Sequence, residues 1–170
     1  MIRVAQPSDV PQIAALHVRS WQVGYRGQMP DSFLDALNPG QRAAAWTRAV
    51  GDSEVTVLVG LRAETIVGFC SFLACRDDDA SSDTCEIATL YVEPAHFRSG
   101  CGRALMEAVV EMARARSFRR VSLWVLATNS VARAFYESVG LLPDGRSKTD
   151  ARLGIPLHEV RYIRELPTGT

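Results

Sequence analysis

Between Val92 and Leu105 the chain passes from strand-like to helix-like residues through two glycines one residue apart, Gly100 and Gly102. Few folds accommodate that junction. The residues before it, Cys85 to Val92, are rich in β-branched and aromatic side chains and stop at Glu93-Pro94, which predicts a strand. After it, apolar or small residues at Cys101, Leu105, Ala108, Val109 and Met112 predict an amphipathic helix. A glycine turn that opens a helix makes an anion site, because the first-turn N–H groups have no intrahelical acceptor and the helix dipole is positive there. Gly100 and Gly102 let backbone approach a phosphate without a Cβ in the way, and Arg98 and Arg103 add cationic donors.

The loop does not by itself say which phosphate ligand it takes. A P-loop needs Gly-x-x-x-x-Gly-Lys-Ser/Thr, and the chain's only lysine is Lys148. A dinucleotide fingerprint wants a third small residue where Leu105 stands, and it normally lies near the start of a βαβ unit rather than past mid-chain. The formal net charge of zero gives no bulk attraction to nucleic acid or to a membrane surface. Four cysteines without Cys-x-x-Cys spacing, and three histidines of which no two share a helical face, argue against a metal site. With 170 residues, 47% of them apolar, and no signal peptide or membrane-spanning run, the expectation is one domain over residues 1–170 in the cytoplasm.

Taken in order, Ile2 to Ala5 reads as a strand, and Ser8 as the N-cap of a helix with Val10, Ile13, Ala14, His17 and Trp21 on one face. Gly24 and Gly27 interrupt that helix around Tyr25; Asp31 to Leu37 and Pro39 to Val50 predict two more. Glu54 to Leu61 and Thr65 to Cys75 read as an antiparallel hairpin, followed by an acidic, solvated loop at Asp77 to Asp83. Beyond the long helix come a strand at Val121 to Leu126, a helix at Asn129 to Val139 closed by Gly140, and two last strands, from Leu141 onward and from Glu159 to Leu166. The order β-ααα-ββ-β-α-β-α-ββ describes a mixed sheet with helices on its faces.

This order, with this loop, resembles the GCN5-related N-acetyltransferase superfamily over nearly the whole chain. Three stretches carry the likeness. The strand Glu86 to Val92 running into Arg98-Ser99-Gly100-Cys101-Gly102-Arg103-Ala104-Leu105 is similar to the family's acetyl-CoA pyrophosphate loop. Asn129-Ser130-Val131-Ala132-Arg133-Ala134-Phe135-Tyr136-Glu137-Ser138-Val139-Gly140-Leu141 is similar to its Asn-x-x-Ala-x-x-Phe-Tyr-x-x-x-Gly-Phe helix. Ser20-Trp21, Tyr25, Gly27 and Pro30 resemble a branch of small-molecule N-acetyltransferases. Phe97 stands where the family has Gln or Arg, which leaves backbone amides from Ser99 to Ala104 as the main phosphate donors.

The resemblance implies an α/β (α+β) fold: a mixed, mostly antiparallel sheet of six to seven strands flanked by helices, with a splay between two central strands. It implies acetyl-CoA as co-substrate, a primary amine of a small molecule or peptide as acceptor, and direct transfer without an acyl-cysteine. Such folds commonly form homodimers. Pantetheine would pair with main chain at Leu90, Tyr91 and Val92, with Asn129 and Phe135 beside it. Tyr136 would protonate the leaving thiolate, since a phenol of pKa near ~10 can donate to it at neutral pH. Glu86, fourteen positions before Gly100, would be the base; apolar neighbours would raise its pKa and suit it to that role. Trp21 and Tyr25 would line the acceptor pocket, where aromatic walls suit a cation. Other classes consistent with the same residues are a non-catalytic acyl-CoA-binding or regulatory module and an acyltransferase for other acyl groups.

Overall fold

The computed structural model describes residues 1–151 and 153–167. Among these residues seven strands and five helices follow one another as β1 (Ile2–Val4), α1 (Val10–Gly24), α2 (Asp31–Asp35), α3 (Pro39–Gly51), β2 (Thr56–Arg62), β3 (Thr65–Ala74), β4 (Thr84–Val92), α4 (Cys101–Ala115), β5 (Arg120–Leu126), α5 (Ser130–Ser138), β6 (Leu142–Asp150) and β7 (Leu157–Glu165). This is the predicted order. The strands form one mixed sheet in the order β1-β2-β3-β4-β5-β7-β6. Of its pairings with a defined register, β4 with β5 is parallel and the other four are antiparallel.

The chain groups into two compact units, Met1–Leu73 with Thr89–Val109 and Ala74–Ala88 with Val110–Thr170, so β4 and α4 each contribute to both. In the first unit, α1 and α3 pack Ile13, Leu16 and Trp46 against Val57, Val59 and Phe69, all buried. Each of the fully buried side chains Ile13, Leu16 and Phe69 contributes about 1.5–3 kcal/mol. Five successive residues of β2, Thr56 to Gly60, are buried, as befits a strand covered on both faces. The opposite face is closed by α4, whose Cys101 Sγ lies over two strand glycines. A Cβ on Gly60 would come within 2.8 Å of that sulfur and one on Gly68 within 2.7 Å, so a side chain at either position would have to displace the thiol. The register between β2 and β3 shifts at Gly60/Leu61.

The entry to α1 differs from expectation. Ser8 caps nothing; a 3-10 turn over Pro7–Asp9 precedes α1, with Gln6 as its N-cap. Asp9 accepts the Gln6 N–H at 2.7 Å and pairs with both Arg3 nitrogens at 2.6 and 2.9 Å, which holds its carboxyl below the usual range. Pro7 fits the first turn because it has no N–H to leave unpaired.

In the second unit β7 lies between β5 and β6, with seven pairs to β5, and β6 bulges between Pro143 and Ser147 around left-handed Gly145. Val121, Leu123 and Tyr162 are buried there. The acidic loop after β3 is not simply solvated. Asp77 and Asp79 both accept from Arg161, at 3.1 and 2.7 Å, and Asp144 joins them at 2.7 Å.

Candidate active site

In the first unit the phosphate loop is built by short backbone hydrogen bonds. Glu93 N–H donates to Val67 O at 2.8 Å, and its carboxylate accepts two nitrogens of Arg19, so Glu93 is a tied end of β4 rather than a loose turn residue. Pro94–His96 then forms a 3-10 turn, and Ser99 N–H donates to His96 O at 3.2 Å. Arg98 and Gly100 both take left-handed backbone, with φ of 61° and 85°, and Ala104 N–H closes the first α4 turn on Gly100 O at 3.0 Å. The amides of Cys101, Gly102 and Arg103 have no carbonyl four residues back within the helix. Alternation of left-handed residues ahead of a helix turns successive N–H groups toward one side, an anion-binding concavity.

Arg98, Ser99, Gly100 and Arg103 are exposed, while Cys101, Gly102 and Ala104 are half-buried. Cys101 offers its amide to this loop and its thiol to the packing over Gly60 and Gly68. Burial pushes the Cys101 thiol above its ordinary pKa against a smaller pull from the N-terminal charge, which makes it a poor nucleophile. Phe97 remains 54% exposed beside the loop.

Leu90, Tyr91 and Val92 are half-buried although they belong to an internal strand of the sheet. The parallel pairing of β4 with β5 covers Thr84–Glu86 against Arg120–Ser122, three of nine β4 residues. Val92 O accepts the Ser20 hydroxyl at 3.3 Å.

Trp21 and Tyr25 meet edge to face at 5.1 Å, with Phe33 and Tyr91 at 6.4 and 6.5 Å from the indole. The Arg42 guanidinium lies 5.3 Å above the Trp21 ring, so that aromatic face already carries a cation. His17, stacked on Tyr91 at 5.2 Å, accepts the Trp46 indole N–H on Nδ1 at 3.0 Å. Burial, followed by the nearby Arg42 charge, brings its pKa down to about 3, so at neutral pH His17 cannot take a proton from an ammonium. His17 Nε2 and Trp21 Nε1 are buried without a partner among the described residues. A separate cavity of about 400 Å³ between α1, Ile66–Val67 and His96 is lined by none of the predicted site side chains.

In the second unit, Glu86 is 6% exposed, but its surroundings are not apolar as expected. Arg76, just past β3, gives it three donors: the backbone N–H at 3.3 Å, Nε at 3.1 Å and Nη2 at 2.7 Å. A carboxylate has about four lone-pair directions, so Glu86 keeps capacity for a further proton or water. Tyr136 is 9% exposed and tilts against Phe135 and Tyr162, at 5.4 and 6.3 Å. Asn129 Oδ1 accepts the Ala132 N–H at 3.1 Å and so caps α5, while Gly140 (φ 86°) and the Leu141 N–H bond to Tyr136 O close it. Sequence reasoning missed Arg76, the Arg161 network, and Trp124, whose indole N–H is held by Asp77 at 3.0 and 3.2 Å. No local spacing announces pairs this far apart in the chain.

The acetyltransferase (GNAT) family model matches residues 11–141. An uncharacterized N-acetyltransferase of Bacillus subtilis is 29% identical over 129 residues, covering 75% of this chain and 72% of that protein. Among solved structures, the PaiA N-acetyltransferase of Thermoplasma acidophilum in complex with coenzyme A superposes with a TM-score of 0.79 at 16% identity, covering 97% of this chain and 98% of that one. The yncA protein of Salmonella typhimurium, in complex with its cofactor acetyl-CoA, gives a TM-score of 0.73 at 22% identity, covering 100% and 95%. The chain belongs to the acetyltransferase (GNAT) family. Among the described residues no helix is long and apolar enough to cross a membrane.

Proposed function

We propose that the chain, acting as one domain, moves an acetyl group from acetyl-CoA to a primary amine of a small molecule or peptide by direct transfer. The observation that carries this reading is the loop that opens α4, left-handed at Arg98 and Gly100 and exposed at Arg98, Ser99, Gly100 and Arg103. Its chemistry suits a pyrophosphate, and a Cβ at Gly100 would meet nothing within 4 Å, so the approach is open. Amides between Gly100 and Arg103 hold the pyrophosphate, a narrower set than the expected Ser99 to Ala104 because the Ser99 and Ala104 N–H groups donate to His96 O and Gly100 O, and Arg98 and Arg103 add charge. Main chain of Leu90 to Val92 orients the acyl-pantetheine arm, with Asn129 and Phe135 beside it.

The reaction needs an ammonium deprotonated and a thiolate protonated. Glu86 takes the proton, directly or through water, because buried His17 cannot. Tyr136 gives its hydroxyl proton to the leaving sulfur. Trp21 and Tyr25 border the acceptor, and Arg42 over Trp21 turns this wall toward neutral or oxygen-bearing parts of the acceptor rather than its ammonium. Retention of both Glu86 and Tyr136 favours catalysis over a sensing module.

The test combines melting curves with acetyl-CoA, desulfo-CoA, ATP and NAD, followed by thiol release with an amine library. Acetyl-CoA at a hundredfold excess over its dissociation constant raises stability by about 2.7 kcal/mol. Glu86→Gln and Tyr136→Phe lower turnover while keeping that shift. Absence of a shift with acetyl-CoA, or full turnover in both variants, refutes the assignment.

A further inference from the structure

Lys148, the chain's only lysine, is held in an unusual place. From β6 its side chain reaches across β7 to put Nζ 4.1 Å from the centroid of the Trp124 ring on β5. A surface lysine normally keeps its rotamer freedom, worth up to ~2 kcal/mol, so an ammonium seated on one aromatic face is a positioned group. The platform is itself fixed. Asp77 takes the indole N–H with both oxygens, and Asp77 is tied by Arg161, which approaches the same ring at 5.7 Å. The carboxylate paired with Lys148, Glu159, stands off at 3.7 Å, and the lysine side chain remains 37% exposed.

The face that carries this ammonium is the one that carries Glu86. Glu86 pairs with Ser122, and Ser122 and Trp124 point to the same side of β5. Strand spacing and rise put the α-carbons of Glu86 and Trp124 roughly 8 Å apart. Ala88, next on that face of β4, is exposed, so the face is open there. At Trp21 the cation over the ring is an arginine, which stays protonated and cannot serve as an acceptor.

We propose that Lys148 is an internal acetyl acceptor, seated on Trp124 as an acceptor amine is seated and acetylated by its own chain. This rests on the acetyltransferase reading above. The Lys148 ammonium gives up one proton to a base, and the neutral Nζ attacks the thioester carbonyl of acetyl-CoA. The C–N bond forms as the C–S bond breaks, and the second nitrogen proton leaves with the sulfur as free CoA thiol. The product amide has no charge, so it loses both the attraction to the ring and the pairing with Glu159, and frees the Trp124 face.

The test incubates the purified full chain with acetyl-CoA and no added amine, and reads intact mass and peptide maps alongside the melting curve. One acetyl group is expected on Lys148, at a rate independent of protein concentration and at least about tenfold above that of the urea-unfolded chain. Lys148→Arg takes up none. If acetyl-CoA raises the melting point but the acetyl group is absent, sits on the Met1 amine, appears no faster than on the unfolded chain, or forms at a rate proportional to protein concentration, the internal-acceptor assignment is overturned and the acetyltransferase reading stands. No melting shift at all overturns both.

Discussion

Replacing His17 by glutamine should remove a pH dependence of stability that the native chain carries. His17 is 6% exposed, and its folded pKa lies at about 3, lowered first by burial and then by the Arg42 charge. In the unfolded chain the imidazole titrates near ~6.5. Between these values the unfolded state binds the extra proton. The stabilisation is therefore complete above about pH 6.5 and is lost as pH falls toward 3. Each pH unit in that window costs about 1.4 kcal/mol, so going from about pH 6.5 to 4.5 the native chain loses roughly 2 kcal/mol through this residue. Carboxylates such as Asp9, held below its usual range by Arg3, also weaken the fold in acid, so the informative quantity is the difference between the two proteins. Glutamine keeps an oxygen for the Trp46 N–H and does not titrate. Urea unfolding followed by tryptophan fluorescence at several pH values measures both curves. They should converge in acid by that amount; parallel curves would refute a buried neutral His17.

Gly60→Ala and Gly68→Ala should each cost about 1–3 kcal/mol through overpacking on Cys101, measured by urea midpoint. Cys101→Ala should rescue Gly60→Ala more fully than Gly68→Ala, because a Cβ at 68 also meets the Tyr91 backbone oxygen at 3.2 Å. Gly100→Ala, at φ 85° with open space around its Cβ, should lose about 1–2 kcal/mol of loop stability from backbone strain alone and weaken acetyl-CoA binding in titrations. Asn129→Ala should cost about 1 kcal/mol through the lost cap on Ala132, whereas Asn129→Asp should restore most of it in thermal unfolding.

The order of elements could be read from sequence because each signal is local. Period-2 and helical spacing, with Pro39, Gly51 and Gly140 as punctuation, set the elements to within a residue or two. The start of α1 was misread because Ser8 is a good cap by composition, yet Pro7 and the Arg3–Asp9 pair turn the chain one step earlier. What sequence could not carry is pairing at long range. Arg161 reaches Asp77 and Asp79 across 84 and 82 positions. Gly60 and Gly68 make sense only once Cys101 lies above them, and a strand glycine alone does not say what approaches it. Glu86 looked apolar-walled because strand parity names its neighbours on β4 and not Arg76, whose side chain arrives from the end of β3.

The same distinction bears on the helix that most strongly suggested the family. Two of its characteristic positions have a structural explanation sufficient in itself: Asn129 caps the first turn and Gly140 supplies the left-handed residue that ends the last. Any helix framed this way would favour those residues, so their presence speaks for α5 before it speaks for catalysis. Tyr136 differs, because helix capping calls for no ring there and a phenyl group would pack against Phe135 and Tyr162 as well as a phenol does. The burden of the catalytic argument therefore falls on one oxygen. Tyr136→Phe keeps the ring, the helix and both caps, so a loss of turnover at unchanged acetyl-CoA binding can be assigned to the proton that oxygen supplies.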